Sequence, residues 1–188
     1  MGIIVQYGIF CIFLVLHQRI GGQVRSGIEG WRVVNYQCIG TPYQKTTLHY
    51  CNTLRVPNGT TYLNASLHVP YRLTFINIAV KTYYKYTTYK PFIVDWKIEV
   101  CQAMRARRYN PMAQVVAKVF KETIPSMYYP CPHGNTTYTV VWALDAKYYP
   151  KSIPSGDYRI DISFKDAENI TIYAMQVYAT MRKQGLIG

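Results

Sequence analysis

Apolar and polar residues alternate along most of this chain, and this pattern limits its possible folds more than any other feature. The clearest stretch is 92–100, where five apolar side chains fall on one face of an extended segment: Phe92, Val94, Trp96, Ile98 and Val100. A period of two is typical of a strand with one buried face. The same pattern predicts further strands at 31–39, 47–56, 63–69, 73–86, 137–144, 157–164 and 170–181. About eight strands, separated by turns rich in proline and glycine, predict an all-β sandwich.

Residues 110–122 follow a helical spacing instead. Asn110 can cap the first turn, and Pro111 can occupy the first helical position. The apolar residues that follow recur at helical intervals: Met112, Val115, Val116, Val119 and Phe120. We therefore expect one short amphipathic helix near 110–122, with its apolar face against the sandwich.

Residues 1–22 are typical of a secretory leader. Residues 3–16 form an apolar block that is short for a membrane span, and Gly21-Gly22 offers a cleavage point. A buried helix of the mature fold is the alternative interpretation. We expect a signal peptide at 1–22 and one domain at 23–188. Since no second long apolar stretch follows, we expect no membrane span.

Sequons and cysteines also favour an extracellular, secreted protein. Four Asn-X-Ser/Thr sequons are candidate glycosylation sites: Asn58, Asn64, Asn135 and Asn169. Beyond the leader the cysteines are even in number, which suits two disulfide bonds: Cys38, Cys51, Cys101 and Cys131. Three pairings are open, and we favour Cys38 with Cys51 and Cys101 with Cys131. A zinc site is the weaker interpretation because no Cys-X-X-Cys pair is present.

The net charge of +12 would ordinarily suggest a polyanionic partner, but a secreted location argues against nucleic acid. Lysine and tyrosine interleave along residues 81–90, which is typical of a glycan or headgroup surface and equally of a solvated hairpin rim. The cluster Arg105-Ala106-Arg107-Arg108 has the composition of a convertase cleavage site, with a plain solvated loop as the alternative.

Catalytic motifs are not evident in the sequence. It contains no Gly-X-Ser-X-Gly, no His-Glu-X-X-His and no Gly-rich phosphate loop, and its nine acidic residues are mostly scattered. His49 and His68 fall on predicted strand surfaces and His133 in a predicted turn, which favours structural roles. We expect no enzyme activity, no catalytic residue, no metal site and no cofactor.

A series of short motifs, taken in order, resembles one family. These are the leader, Lys90-Pro91-Phe92, the segment 95–101, the Asn110-Pro111 helix start, Cys131-Pro132 and the segment 154–159. Together, over residues 30 to 180, they resemble a large, insect-expanded group of secreted proteins that includes the chemosensory-B proteins of flies. That group is similar to the ML (lipid-recognition) domain. The chain departs from the pattern at Glu99, where the acidic residue is usually Asp, and before Cys131-Pro132, where an Asn is common.

The resemblance implies an immunoglobulin-like β-sandwich of the ML type, whose sheets splay to admit an apolar ligand. Inward strand and helix positions would line such a cavity: Phe92, Val94, Trp96, Ile98, Val116, Phe120, Tyr138, Val140 and Trp142. A filled core would need the same residues. The implied function is a secreted carrier of a small hydrophobic ligand, a lipid or pheromone-like hydrocarbon, with a membrane receptor as a candidate partner. The alternative is an extracellular module that binds anionic glycans or a membrane protein through residues 81–90.

Overall fold

A computed structural model describes residues 30–57, 59–105, 111–148 and 152–183. The predicted signal peptide at 1–22, the sequon at Asn58 and the helix cap at Asn110 lie outside the described residues. So do residues 106–108 of the basic cluster that begins at Arg105.

Eight strands and two α-helices make up the described part of the chain. The strands are β1 (Gly30–Cys38), β2 (Thr47–Arg55), β3 (Thr61–Leu73), β4 (Asn77–Lys85), β5 (Tyr89–Glu99), β6 (His133–Trp142), β7 (Gly156–Lys165) and β8 (Thr171–Arg182). The helices are α1 (Val100–Arg105) and α2 (Pro111–Thr123), and short 3-10 turns occupy Pro125–Met127 and Ala146–Tyr148.

The strands form two antiparallel sheets. Sheet A has the order β1-β8-β7-β4-β5, and sheet B has the order β2-β3-β6. The predicted all-β sandwich is therefore confirmed. Because β1 and β2 are edge strands of their sheets, as are β5 and β6, the sandwich has two contrasting long edges, described below as the closed edge (β1 and β2) and the open edge (β5 and β6).

Direct bonds between the two sheets hold the closed edge together. Cys38 and Cys51 form a disulfide with a Cα–Cα distance of 6.2 Å. The hydroxyl of Thr53 accepts the backbone N–H of Tyr36 at 2.9 Å and donates to the carbonyl of the same residue at 2.8 Å. The guanidinium of Arg55 donates to the carbonyl of Val34 at 3.3 Å. These bonds leave little space between the sheets at this edge.

The main core cluster lies beside the closed edge. Its members are buried side chains from both sheets: Val33, Tyr36, Leu63, Ala65, Trp142, Ile160, Met175, Val177 and Ala179. A smaller cluster near one end of the sandwich contains Val69, Leu73 and Ile172. The close-packed core thus occupies only part of the space between the sheets.

The predicted strand at 73–86 corresponds to β4 but begins too early. Strand β3 ends at Leu73 and β4 begins at Asn77, and these strands belong to different sheets. Residues 74–76 carry the chain from sheet B to sheet A. Alternation cannot reveal such a transition, because apolar residues face the same interior on both sides of it.

A second helix was not predicted. Helix α1 begins where the apolar pattern of β5 would continue, because the carboxylate of Glu99 accepts the backbone N–H of Cys101 at 3.0 Å and that of Gln102. The same carboxylate accepts the N–H of Ile76 at 3.2 Å. Glu99 therefore ends the strand and caps the helix, and Val100 becomes a helical residue.

Three sequons lie on described surface positions. Asn64 is half-buried in the middle strand of sheet B, beside Asn52 on β2 and Val141 on β6. Asn135 and Asn169 are exposed and have positive φ angles of 52° and 64°. Asparagine tolerates this left-handed backbone better than most residues. Glycosylation of these positions stays a prediction.

Candidate functional site

A cavity of about 550 Å³ lies between the two sheets. This volume is within the usual range for a small-molecule site. Sheet A contributes Ile78, Trp96, Ile160 and Ile162, among others, and sheet B contributes residues that include Leu67. The space is therefore a feature of the sandwich interior rather than of a surface loop.

All nine residues that the sequence analysis proposes as ligand contacts line this cavity: Phe92, Val94, Trp96, Ile98, Val116, Phe120, Tyr138, Val140 and Trp142. Four of them belong to β5, three to β6 and two to α2, so the open edge and the helix beside it contribute to the wall. Contact between these residues and a ligand stays a prediction.

A bulge interrupts the pairing of β5 with β4 beside the cavity, at residues 92–94. Lys81 pairs with Asp95 and Tyr83 pairs with Pro91, so that residues 92–94 face Thr82 alone. The Thr82 hydroxyl fills the irregular pairing, accepting the N–H of Val94 at 3.1 Å and donating to the carbonyl of Phe92.

At the centre of this bulge, Ile93 has a positive φ of 54°, and its side chain is 68% exposed. A β-branched residue in this conformation is strained, and such strain persists only where the surrounding structure holds it. Phe92 and Val94 line the cavity, as the alternation along β5 predicts, and Ile93 contributes to the lining from an exposed position.

Helix α2 covers the cavity at the open edge. The prediction placed its apolar face against the sandwich, and the structure places that face against the cavity, where none of its residues is fully buried. The residues that line the cavity are Met112, Ala113, Val115, Val116, Ala117, Val119 and Phe120. Val119 also packs against the main core cluster, and the other residues of this face border the cavity.

The C-terminal end of α2 is held by several bonds. The indole Nε1 of Trp142 donates to the hydroxyl of Thr123 at 2.9 Å. The hydroxyl of Tyr148 donates to Glu122 at 2.6 Å, and Lys147 forms an ion pair with the same carboxylate at 2.7 Å. These bonds hold the pKa of Glu122 below its usual value, chiefly through Lys147 and then through Tyr148.

A disulfide between Cys101 and Cys131, with a Cα–Cα distance of 5.5 Å, joins α1 to the segment that follows α2. The helical cover is thus fixed to the sandwich on both sides of α2.

His133 is not the turn residue that the sequence suggested. It begins β6, is 9% exposed and lines the cavity. The ring of Tyr129 lies 4.2 Å from the imidazole, centroid to centroid. Burial lowers the pKa of His133 below its ordinary value, which favours the neutral imidazole. The proline and glycine residues around it suggested a turn, and nothing in them indicated that a strand begins there.

Aromatic side chains close the end of the cavity near the β4–β5 hairpin. Tyr158 is 3% exposed, and its ring lies 5.2 Å from that of Tyr84, 5.3 Å from that of Trp31 and 5.9 Å from that of Phe92. Its hydroxyl donates to the carbonyl of Pro154 at 2.7 Å. Burial raises the pKa of Tyr158 to about 12, so the phenol stays neutral. Trp31 and Tyr158 were missed as lining residues, although both occupy apolar positions in predicted strands.

The interleaved lysine and tyrosine residues at 81–90 are partly engaged within the protein. Lys81 forms an ion pair with Asp95 at 3.1 Å. The rings of Tyr83 and Tyr89 stack on the guanidinium of Arg159, at 4.3 and 5.2 Å. That guanidinium in turn contacts Asp161 at 2.8 Å. These contacts reduce the positive charge that this edge can offer to an anionic partner.

Within the described residues, His, Cys, Asp and Glu form no group of three or more that could hold a metal ion. Over the same part of the chain, none of the helices combines the length and the apolar character that a membrane crossing requires.

Comparisons with known proteins add a family of uncharacterised function and two distant structures. Residues 76–160 match the family described as "Protein of unknown function (DUF1091)". No curated protein matches this chain in sequence. The chain is similar to a Niemann-Pick type C2 protein from Japanese carpenter ant, at 11% identity and a TM-score of 0.39, covering 79% of this chain and 100% of that one.

It is also similar to chicken MD-1, solved in complex with lipid IVa, at 10% identity and a TM-score of 0.40, covering 81% and 98% of the two chains. The family match spans less than half of this chain, and both structural likenesses are distant. None of these likenesses therefore assigns a function to the cavity.

Proposed function

We propose that this chain is a secreted binding protein that carries or presents a small hydrophobic ligand in the cavity between its sheets. The observation that carries the proposal is an apolar cavity of about 550 Å³ covered by the apolar face of α2, none of whose residues is fully buried. A ligand there would bury hydrocarbon on both sides, against the sheets and against the helix.

The energetics favour an apolar occupant. Each methylene transferred from water into such a site contributes about 0.8 kcal/mol, so an acyl chain gains affinity without any polar contact. Water would find few partners along this wall, because a buried water needs at least two polar groups to bond. The two disulfides support an oxidising compartment, which agrees with secretion.

The pheromone-like ligand and the membrane receptor rest on the family resemblance, and we retain both as parts of the proposal. Binding of anionic glycans through residues 81–90 is retained as the alternative function.

A filling variant tests the proposal. Ala117 lines the cavity from α2, whereas Gln114 is exposed on the same helix. We expect Ala117→Phe to weaken binding of the neutral fluorescent probe N-phenyl-1-naphthylamine at least about fivefold, by occupying space that the probe needs. The matched variant Gln114→Phe adds the same side chain outside the cavity and should leave the affinity unchanged.

Ionic strength separates the proposal from its alternative. Charge-driven binding weakens as salt shortens the screening length to about 3 Å at 1 M, whereas burial of an apolar probe does not weaken. Absence of probe binding by a folded wild-type protein, together with absence of co-purifying lipid in organic extracts, would contradict the proposed function. Salt-sensitive binding of an anionic glycan would then favour the alternative.

A further inference from the structure

The wall of the cavity is uncharged, although the chain as a whole is not. The sequence contains 21 lysine and arginine residues and nine aspartate and glutamate residues. Of the described residues that line the cavity, none is lysine, arginine, aspartate or glutamate. Charged side chains are thus plentiful in this protein and lie elsewhere.

Polar groups in the wall are largely engaged by the protein. The hydroxyl of Tyr138 accepts the backbone N–H of Gly134 at 2.7 Å and shares a hydrogen bond with the hydroxyl of Tyr129 at 3.0 Å. The indole N–H of Trp142 donates to Thr123 at 2.9 Å, and the hydroxyl of Tyr158 donates to a backbone carbonyl at 2.7 Å. An ionised ligand group placed beside them would have to compete for donors already in use.

The mouth is apolar as well. The exposed residues that line it include Ile93, Val115 and Tyr128, with 68%, 45% and 38% of their surfaces exposed. A ligand that left its headgroup at the mouth would meet these side chains first. Among the described lining residues, neither the interior nor this rim contains lysine or arginine, and burial favours the neutral form of the one histidine, His133.

Burial of an ionised carboxylate without a partner is strongly unfavourable, and such a group becomes protonated instead when it can. For a free fatty acid at neutral pH, protonation is itself unfavourable because the carboxyl pKa is near 4.3. An ester or a hydrocarbon of the same length meets neither cost.

We infer that the cavity selects uncharged apolar molecules, such as hydrocarbons and alkyl esters, and discriminates against fatty acids and other ionised lipids of equal length. This inference rests on the proposed function and narrows its ligand class. The net positive charge of the chain would instead favour ionised lipids such as fatty acids. Selection by the cavity wall and selection by net charge therefore predict opposite preferences.

Competition between matched ligands tests the inference. Methyl dodecanoate and dodecanoate have the same acyl chain, and each is titrated against protein loaded with N-phenyl-1-naphthylamine at neutral pH. We expect the ester to displace the probe at a concentration at least about tenfold lower than the acid. Equal or stronger displacement by the acid would overturn the inference while leaving the proposed function intact. Absence of probe binding altogether would instead overturn the proposed function.

A charge introduced into the wall sharpens the test. Val116 lines the cavity, and Gln114 is exposed on the same helix. We expect Val116→Lys to supply the missing cation and reduce the preference for the ester at least about threefold. Gln114→Lys adds the same charge outside the wall and should keep the wild-type preference. An equal reduction in both variants would assign the selectivity to overall charge and overturn the inference. Circular dichroism shows whether Val116→Lys folds. If it does not, the comparison of ester and acid on the wild-type protein still tests the inference.

Discussion

The two long edges of the sandwich are built from the same kind of strands and have opposite properties. At the closed edge, a disulfide and the hydroxyl of Thr53 join β1 directly to β2, and the main core cluster packs beside them. At the open edge, β5 and β6 are connected through α1, α2 and the segment that follows, and a cavity lies between them. Similar apolar alternation thus accompanies close packing beside one edge and a cavity beside the other.

The difference lies in what spans each edge. A direct sheet-to-sheet bond holds the two sheets close together, whereas a connection that runs through helices does not. We therefore expect changes at the closed edge to lower stability and spare ligand binding, and changes at the open edge to alter ligand binding, with or without a loss of stability.

The largest expected effect is at Tyr36. This side chain is 4% exposed, its ring lies 5.9 Å from that of Trp142, and its hydroxyl accepts the backbone N–H of Leu144 at 2.9 Å. We expect Tyr36→Ala to lower the free energy of unfolding by about 3–5 kcal/mol, because it removes a buried ring and leaves a void. Urea unfolding followed by near-UV circular dichroism measures this change.

Phe120→Ala is the matched change at the open edge. Phe120 is partly exposed and faces the cavity, so its loss should cost less than about 2 kcal/mol while altering probe affinity. Equal stability losses in the two variants would show that the open edge is packed as tightly as the closed edge.

The second effect compares the disulfides, one at each edge. Cys101 and Cys131 are separated by 30 residues, and Cys38 and Cys51 by 13. In the chain-entropy model, replacing the first pair by serine costs about 3–4 kcal/mol and replacing the second costs about 3 kcal/mol. Thermal and urea unfolding of the two double variants measure both costs.

The affinity for the fluorescent probe should distinguish the two double variants more clearly than their stability does. Loss of the Cys101–Cys131 bond frees the segment that carries α2 and should weaken probe binding, whereas loss of the Cys38–Cys51 bond should not. An unchanged affinity in a folded Cys101→Ser, Cys131→Ser variant would show that the bond does not position the helical cover.

The sequence predicts which side chains face the interior of the sandwich better than it predicts how far apart the two sheets stand. Phe92, Val94, Trp96 and Ile98 all line the cavity, because local alternation decides which face of a strand is apolar. Alternation does not determine how far apart two apolar faces stand. A filled core and a cavity therefore have the same sequence pattern, and the family resemblance, rather than the residues, suggested the cavity.

Other features depended on contacts between distant parts of the chain. Glu99 caps α1 and also bonds Ile76, more than twenty residues earlier, so its role could not be inferred from its neighbours. The burial of His133 follows from the pairing of β6 with Leu73 of β3. By contrast, Pro111 marks the beginning of α2 through its own fixed backbone angle, which is a local property that the sequence displays.

The third effect tests the attachment of α2 to β6 at the open edge. The hydroxyl of Thr123 accepts the indole N–H of Trp142 at 2.9 Å and donates to the carbonyl of Val119 at 2.7 Å. Thr123→Val keeps the shape but leaves the indole donor without this acceptor, and we expect a loss of about 1–3 kcal/mol. Thr123→Ser retains the hydroxyl and is the control, which should stay within about 1 kcal/mol of wild type. Urea unfolding measures the stability of both variants. Equal losses would show that the hydrogen bond between Thr123 and Trp142 does not contribute to stability.

The smallest effect is a pH dependence that arises from His133. Burial lowers the pKa of this imidazole in the folded protein below its ordinary value of 6.5, so the unfolded chain binds the proton more readily. The contribution of His133 to stability is therefore complete above about pH 6.5 and is lost as the pH falls through the lowered pKa. One proton limits the slope to about 1.4 kcal/mol per pH unit.

Urea unfolding at a series of pH values between 7 and 5 measures this dependence, with His133→Phe as the variant that cannot titrate. Asp166 titrates in a separate, more acidic range. Burial opposes the ionisation of its carboxyl, but the backbone N–H groups of Ile170 and Glu168, together with Lys45 and Tyr71, lower its pKa below 3.8. We expect stability to fall with pH in wild type and to vary less in the variant. Parallel profiles would mean that the imidazole remains as accessible to protons in the fold as in the unfolded chain, and that the wall of the cavity is wetter at β6 than its burial indicates.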